Sequence, residues 1–114
     1  MTSRRIKISP NPGLPNDLFV DLNFELPIPH SVIFHRPLRE TRQYLDLPAV
    51  LQELVAGLLS IEGVASITLT SYRVTVNKAE LFDACPIAAA IANTFTGVYC
   101  EDFQIDNQVQ LVDG

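Results

Sequence analysis

Ile61-Glu62-Gly63-Val64-Ala65-Ser66-Ile67-Thr68-Leu69-Thr70, followed by Ser71-Tyr72-Arg73-Val74-Thr75-Val76-Asn77-Lys78, is the stretch that decides the fold. It reads as a helix stop, a strand, a tight turn and a second strand, and the apolar segment from there to Phe95 reads as a return helix. Ile67 and Leu69 share one face of the first strand. Val74 and Val76 share one face of the second, opposite Arg73, Thr75 and Asn77. Gly63 is placed to end the preceding helix in a left-handed conformation.

Working outward, Asp46-Leu47-Pro48-Ala49 predicts a helix start, with Asp46 able to cap free N–H groups and proline tolerated in a first turn. Behind it Val50, Leu51, Leu54, Val55, Leu58, Leu59 and Ile61 keep one stripe. The second helix is predicted to start at Asp83, with Pro86 in its first turn and Ala79 to Phe82 offering an added turn before it, and to stop at Gly97. Its inner side is Ile87, Ile91 and Phe95 at steps of four, with Ala84 and Ala88 between them.

Toward the N-terminus, Asp17 to Leu26 alternates, with Leu18, Val20, Leu22, Phe24 and Leu26 on one face and Phe19 the only large apolar residue on the other. Period two over that length predicts a strand with one buried face. Lys7-Ile8-Ser9 and Ser31 to His35 read as shorter strands, and Leu38 to Leu45 as irregular or a weak helical turn. Val98-Tyr99, Phe103, Ile105, Val109, Leu111 and Val112 suggest one or two terminal strands across an Asp106-Asn107 turn. Helices and strands mix without a regular βαβ repeat. The expected fold is therefore α+β, a two-layer sandwich with a mainly antiparallel sheet and two helices packed on one face.

A chain of 114 residues fits one domain, 1–114, with a core over about 6–112. At this length roughly 60–70% of the unfolded surface can be buried, so no metal or disulfide staple is required. The apolar content of 47% is that of a globular protein rather than a disordered one. The formal charge of −5 argues against a nucleic-acid partner, which would need a positive patch. The charge is also uneven: six basic and four acidic residues precede Gln43, and two basic and nine acidic residues follow from there. A weakly basic end on an acidic body suits protein contacts. Met1-Thr2-Ser3-Arg4-Arg5 has no apolar run behind it, so no signal peptide is predicted. Ala84 to Tyr99 is too interrupted and too short to span a bilayer. These features, with two cysteines and no disulfide framework, predict a cytoplasmic protein without membrane attachment.

No catalytic constellation emerges. His30, His35, Cys85 and Cys100 are the soft metal-ligand candidates, and they lack the close pairing that structural sites use. Cys85 sits at a helix start, where free N–H groups favour a thiolate, but Asp83 opposes this and no histidine is near in sequence. A thiol-dependent redox protein or enzyme using Cys85 is the alternative reading; a packing thiol is the plainer one. Glu80, Asp83, Glu101 and Asp102 read as solvated surface rather than an acid–base pair. The expectation is a protein that is not an enzyme and carries no cofactor.

Several stretches together resemble the N-terminal domain of Nfu-type (NifU-related) iron–sulfur scaffold proteins. Ser9-Pro10-Asn11-Pro12 is similar to that domain's opening T-P-N-P. Leu59-Ser60-Ile61-Glu62-Gly63-Val64 and Arg73-Val74-Thr75-Val76-Asn77-Lys78 are similar to its L-F-x-I-x-G-V and F-I-T-V-T-K. Pro86-Ile87 and Ile91 are similar to its K-P-x-I-x-x-x-I helix. The order and spacing agree over most of residues 6–95. This chain departs in a longer loop after Pro12, in Leu81 for the usual tryptophan, and in Cys85 for the lysine before the proline. Family members that hold a cluster do so through a C-x-x-C in a separate C-terminal domain, and this sequence has none. The resemblance therefore implies an isolated accessory domain, linked to iron–sulfur cluster assembly, that binds another protein. Its expected partner-binding residues are Ser9, Pro10, Asn11 and Pro12 of a stiff loop, with Arg5 beside it for an acidic partner and Arg73 on the hairpin.

Overall fold

The computed structural model describes residues 4–109. The elements run β1 (Arg5–Pro10), β2 (Asp17–Leu22), β3 (Val32–His35), α1 (Arg42–Leu45), α2 (Ala49–Leu59), β4 (Val64–Leu69), β5 (Arg73–Lys78), α3 (Ala84–Tyr99) and β6 (Gln104–Asn107). The six strands form one sheet in the order β3-β4-β5-β2-β1-β6. Every pairing is antiparallel except β1 with β6. This is the expected α+β sandwich, with α2 and α3 against one face of the sheet.

Alternation decides which face. Ile6 and Ile8, Leu18 and Val20, Ile67 and Leu69, and Val74 and Val76 are all fully buried and meet Leu51, Leu54, Leu58, Ile91 and Phe95 of the helices. The two helices approach closely at Gly57, where an added Cβ would lie 2.8 Å from the Thr94 methyl. The other sheet face is polar, and its cross-strand partners fix the register. Arg73 pairs with Asp21 at 2.6 Å, and Asn77 donates to Asp17 at 2.7 Å. Phe19, the odd apolar residue of β2, lies beneath the Arg73 guanidinium, 4.0 Å from its ring centre.

Several boundaries differ from the sequence reading. β2 ends at Leu22 rather than Leu26, because the Asn23 side-chain Oδ1 accepts from the Arg5 N–H at 2.7 Å and bends the chain. The alternation continues only because Leu26 is bound to the hairpin turn through Ser71 at 2.7 Å. Asp46 does not start α2. It closes the single turn α1, its carboxylate 3.9 Å from Arg42, and Pro48 is the residue that caps α2. Gln52 holds this junction, its amide donating to the Leu45 and Leu47 carbonyls.

Gly97 does not stop α3. The helix runs on to Tyr99 and ends at Cys100 in a left-handed conformation, φ 53°. A glycine inside a helix costs about 1 kcal/mol. Continuing the helix brings Tyr99 into an aromatic cluster with Phe24, Phe95 and Phe103, with Arg4 4.8 Å from the Phe24 and Tyr99 ring centres. Asp106 and Asn107 lie inside β6 rather than in a turn; the chain turns after Asn107, whose side-chain oxygen accepts from Val109 N–H at 3.0 Å. Leu111 and Val112 lie outside the described residues.

Gly63 has φ +95°, but it stands past the end of α2, whose cap is Ser60, at the bend into β4. A Cβ there would come within 2.7–2.9 Å of the Phe82 side chain, whereas at Gly13 it would meet only Asn11 Oδ1 at 3.6 Å. Gly63→Val is therefore expected to cost roughly 2–4 kcal/mol through backbone strain and a displaced ring, well beyond Gly13→Val. Equal urea midpoints for the two variants would contradict this. Burial pushes the Tyr99 phenol above its usual range, against the opposing charge of Arg4. The unfolded chain then loses that proton first as pH passes about 10, so stability present below that pH falls as pH climbs through the folded-state value. Tyr99→Phe should make this alkaline loss shallower in a series of denaturation midpoints, and an unchanged slope would refute the assignment.

Candidate functional site

One end of the sandwich gathers turns from five segments. The β1–β2 turn, the start of β4, the end of β5, the start of α3 and the residue after β3 all lie there, because the strand directions require it. Hydrogen bonds tie them together. Lys78, buried at the end of β5, donates from its backbone N–H to the Asn16 carbonyl at 2.8 Å and from Nζ to Asn16 Oδ1 at 3.1 Å. The Ala79 N–H donates to the Gly63 carbonyl at 2.7 Å, and Phe82 closes the turn that follows by donating to Ala79 O at 3.1 Å. That turn drops the Phe82 ring onto Gly63.

Phe82 divides this end into two open depressions. One, of about 460 Å³, lies toward α3 between Ile61, Leu81, Pro86 and Ile87, with Glu62 and Asp83 at its rim. The other, of about 480 Å³, lies toward β4 along Gly63, Val64 and Ala79, and both Arg36 and Glu62 border it. Leu81 is 97% exposed and Phe82 39%. A single exposed leucine needs no explanation, but two neighbouring large apolar side chains beside an apolar depression form a surface that suits a protein contact. Glu62, Glu80 and Asp83 are exposed and have no ion-pair partner among the described residues.

The sequence-predicted residues divide between the two ends. Ser9 and Pro10 close β1, paired with Phe19 and Leu18, and Asn11 and Pro12 lead into the turn at the Phe82 end. Asn11 Oδ1 is used inside that turn, accepting from the Gly13 N–H at 2.9 Å, so its carbonyl shapes the loop. Arg5 is not beside this loop. It begins β1, six residues and roughly 20 Å away along an extended strand, with its guanidinium on Gln104 at 2.9 and 3.2 Å. Arg73 is also at the far end, held by Asp21 and Phe19. Leu81 and Phe82 were missed as site residues because they fall outside the stripe of α3. The signal available was a pair of large apolar residues standing between Glu80 and Asp83.

Cys85 lies at the start of α3, its Sγ 3.9 Å from the Val109 carbonyl, and Cys100 caps the other end of that helix. Fifteen residues of helix separate them, roughly 22 Å, so the two thiols of one chain cannot share a disulfide or a metal. His30 and His35 are exposed. No group of three or more His, Cys, Asp or Glu side chains is placed to hold a metal among the described residues. No helix among them is long and apolar enough to cross a membrane.

No protein-family model matches the chain, and comparison with curated proteins gives no match. The fold is similar to that in the crystal structure of protein SAV1430 from Staphylococcus aureus, with a TM-score of 0.60 at 17% identity over 80% of this chain and 98% of that one. At that identity the likeness concerns the fold alone. From the cysteine geometry, anaerobic reconstitution with iron and sulfide is expected to leave the protein without a stable cluster, since clusters normally take four thiolates. A visible charge-transfer band lost in both Cys85→Ser and Cys100→Ser would contradict that.

Proposed function

We propose that the chain is a non-catalytic accessory domain that binds another protein, akin to the N-terminal domain of Nfu-type scaffold proteins, and that this contact serves iron–sulfur cluster assembly. The observation that carries the reading is where the resembling segments lie. Parts of them, Ser9 to Pro12, Gly63, Lys78 and Pro86, are scattered through the sequence yet lie at the end that Phe82 divides, while the Arg73–Lys78 segment runs from there along β5 to the other end. Asn16 is held by Lys78, Gly63 by Ala79, and Phe82 stands between Gly63 and the α3 start. These positions adjoin the turn that carries the exposed Leu81 and Phe82, and that neighbourhood supports the reading. Rigid turns suit recognition, because little conformational entropy is lost when a partner docks.

A photo-crosslinking residue at position 81, with position 33 on the open sheet face as control, tests this in extract from the source cells. Adducts specific to position 81 that include an iron–sulfur assembly protein are the expected result. Equal labelling at both positions, or adducts at 81 lacking any assembly protein, would refute it.

A further inference from the structure

The depression between Phe82 and α3 has an apolar floor and a rim of one sign. Ile61, Pro86 and Ile87 line its apolar part, the nearly fully exposed Leu81 stands at its edge with Glu62 and Asp83, and Glu80 adds a third carboxylate in the adjoining turn. Asp83 occupies the cap position of α3 but makes no side-chain capping hydrogen bond there. No lysine or arginine is among the residues lining this depression; the nearest cation is Arg36, which shares the neighbouring depression with Glu62 and donates to the Ile61 carbonyl at 3.3 Å, so Asp83 and Glu80 are the carboxylates that stand clear of a cation. An apolar side chain entering here would cover Leu81, and its flanking residues would meet carboxylates that lack partners.

Building on the proposal that this end binds protein, we infer that its occupant is a cationic amphipathic segment of the partner, with a large apolar side chain seated beside Phe82 and lysine or arginine on Glu62 and Asp83. Charge complementarity favours this occupant over an acidic peptide, which would bring like charges together at the rim. It also disfavours an anionic lipid surface. The sign is opposite to the acidic partner expected from Arg5, because Arg5 lies at the other end of the sheet and this end is acidic.

The test uses the full chain and a short amphipathic helical peptide made of leucine and lysine, with a twin in which glutamate replaces lysine. Binding is followed by fluorescence anisotropy, and the site is located from amide chemical-shift changes. The lysine peptide should bind, perturbing residues 61–65 and 79–90, and the glutamate twin should not. Leu81→Ser should weaken binding about tenfold, as expected for a leucine losing its buried contact. Glu62→Gln with Asp83→Asn should weaken it about fivefold at low salt and flatten its salt dependence. Asp106→Asn, at the far edge of the sheet, should change neither. Leu81 is almost fully exposed and asparagine can occupy a helix cap, so these variants are expected to fold; unchanged thermal midpoints check that. No binding of the lysine peptide, equal binding of its twin, shifts centred elsewhere, or a dimer of the chain that buries Leu81 and excludes the peptide would each overturn the inference. If crosslinks at position 81 persist while the lysine peptide fails, the partner chemistry is wrong and the binding end survives. Loss of both removes the two together.

Discussion

The close seat of the Phe82 ring on Gly63 is the constraint on which this structure turns. The chain leaves α2, reverses at Gly63 and starts β4, and only a residue without a Cβ lets an aromatic ring approach the backbone at that bend. The Ala79 N–H on the Gly63 carbonyl ties the same point to the end of β5. Both helix connections thus share one anchor, which places the C-terminal end of α2 beside the N-terminal end of α3 on one face of the sheet. The ring also separates the two surface depressions, so the contact that organises the fold shapes the candidate site as well.

A one-sided sheet follows from the same economy of residues. Two helices cover one face, and the opposite face is solvated, so each central strand must alternate. The Asp21–Arg73 and Asp17–Asn77 pairs match carboxylates with donors on facing residues of β2 and β5. Such cross-strand pairs contribute roughly 0.2–1 kcal/mol each. Their larger effect is on register, since a one-residue slip would put Val74 and Val76 into water and Arg73 into the core.

Alternation made β2, β4 and β5 legible in the sequence, and the stripes of Leu51, Leu54 and Leu58 and of Ile87, Ile91 and Phe95 made α2 and α3 legible. These patterns report sidedness, which burial enforces. Boundaries were less legible where a distant partner decides them. Gly97 reads as a stop, but the aromatic cluster around Tyr99 carries the helix past it. Asp46 reads as a cap for α2, yet the turn of α1 claims it. The parallel docking of β6 on β1 has no local signal, because β6 is exposed along its whole length and carries no alternating core face. The candidate site was legible only in its loop. Leu81 and Phe82 sit off every periodic pattern, so only the folded turn brings them beside Pro86 and Gly63.

The end that carries Phe82 with Glu62, Glu80 and Asp83 and the end that carries Arg5 lie at opposite ends of one sheet, so a single small partner motif does not engage both. This separates the loop from Arg5 and Arg73, and the proposed binding surface therefore lies at Phe82. The account rests on Phe82 being fixed on Gly63, because a ring free to swing would merge the two depressions and leave no shaped surface for a partner. NMR measures this directly. The structure requires cross-relaxation between the Phe82 ring protons and a Gly63 α proton, and a ring-current displacement of that α proton that disappears in Phe82→Leu. Equivalent Gly63 α protons with no contact to the Phe82 ring would contradict the account.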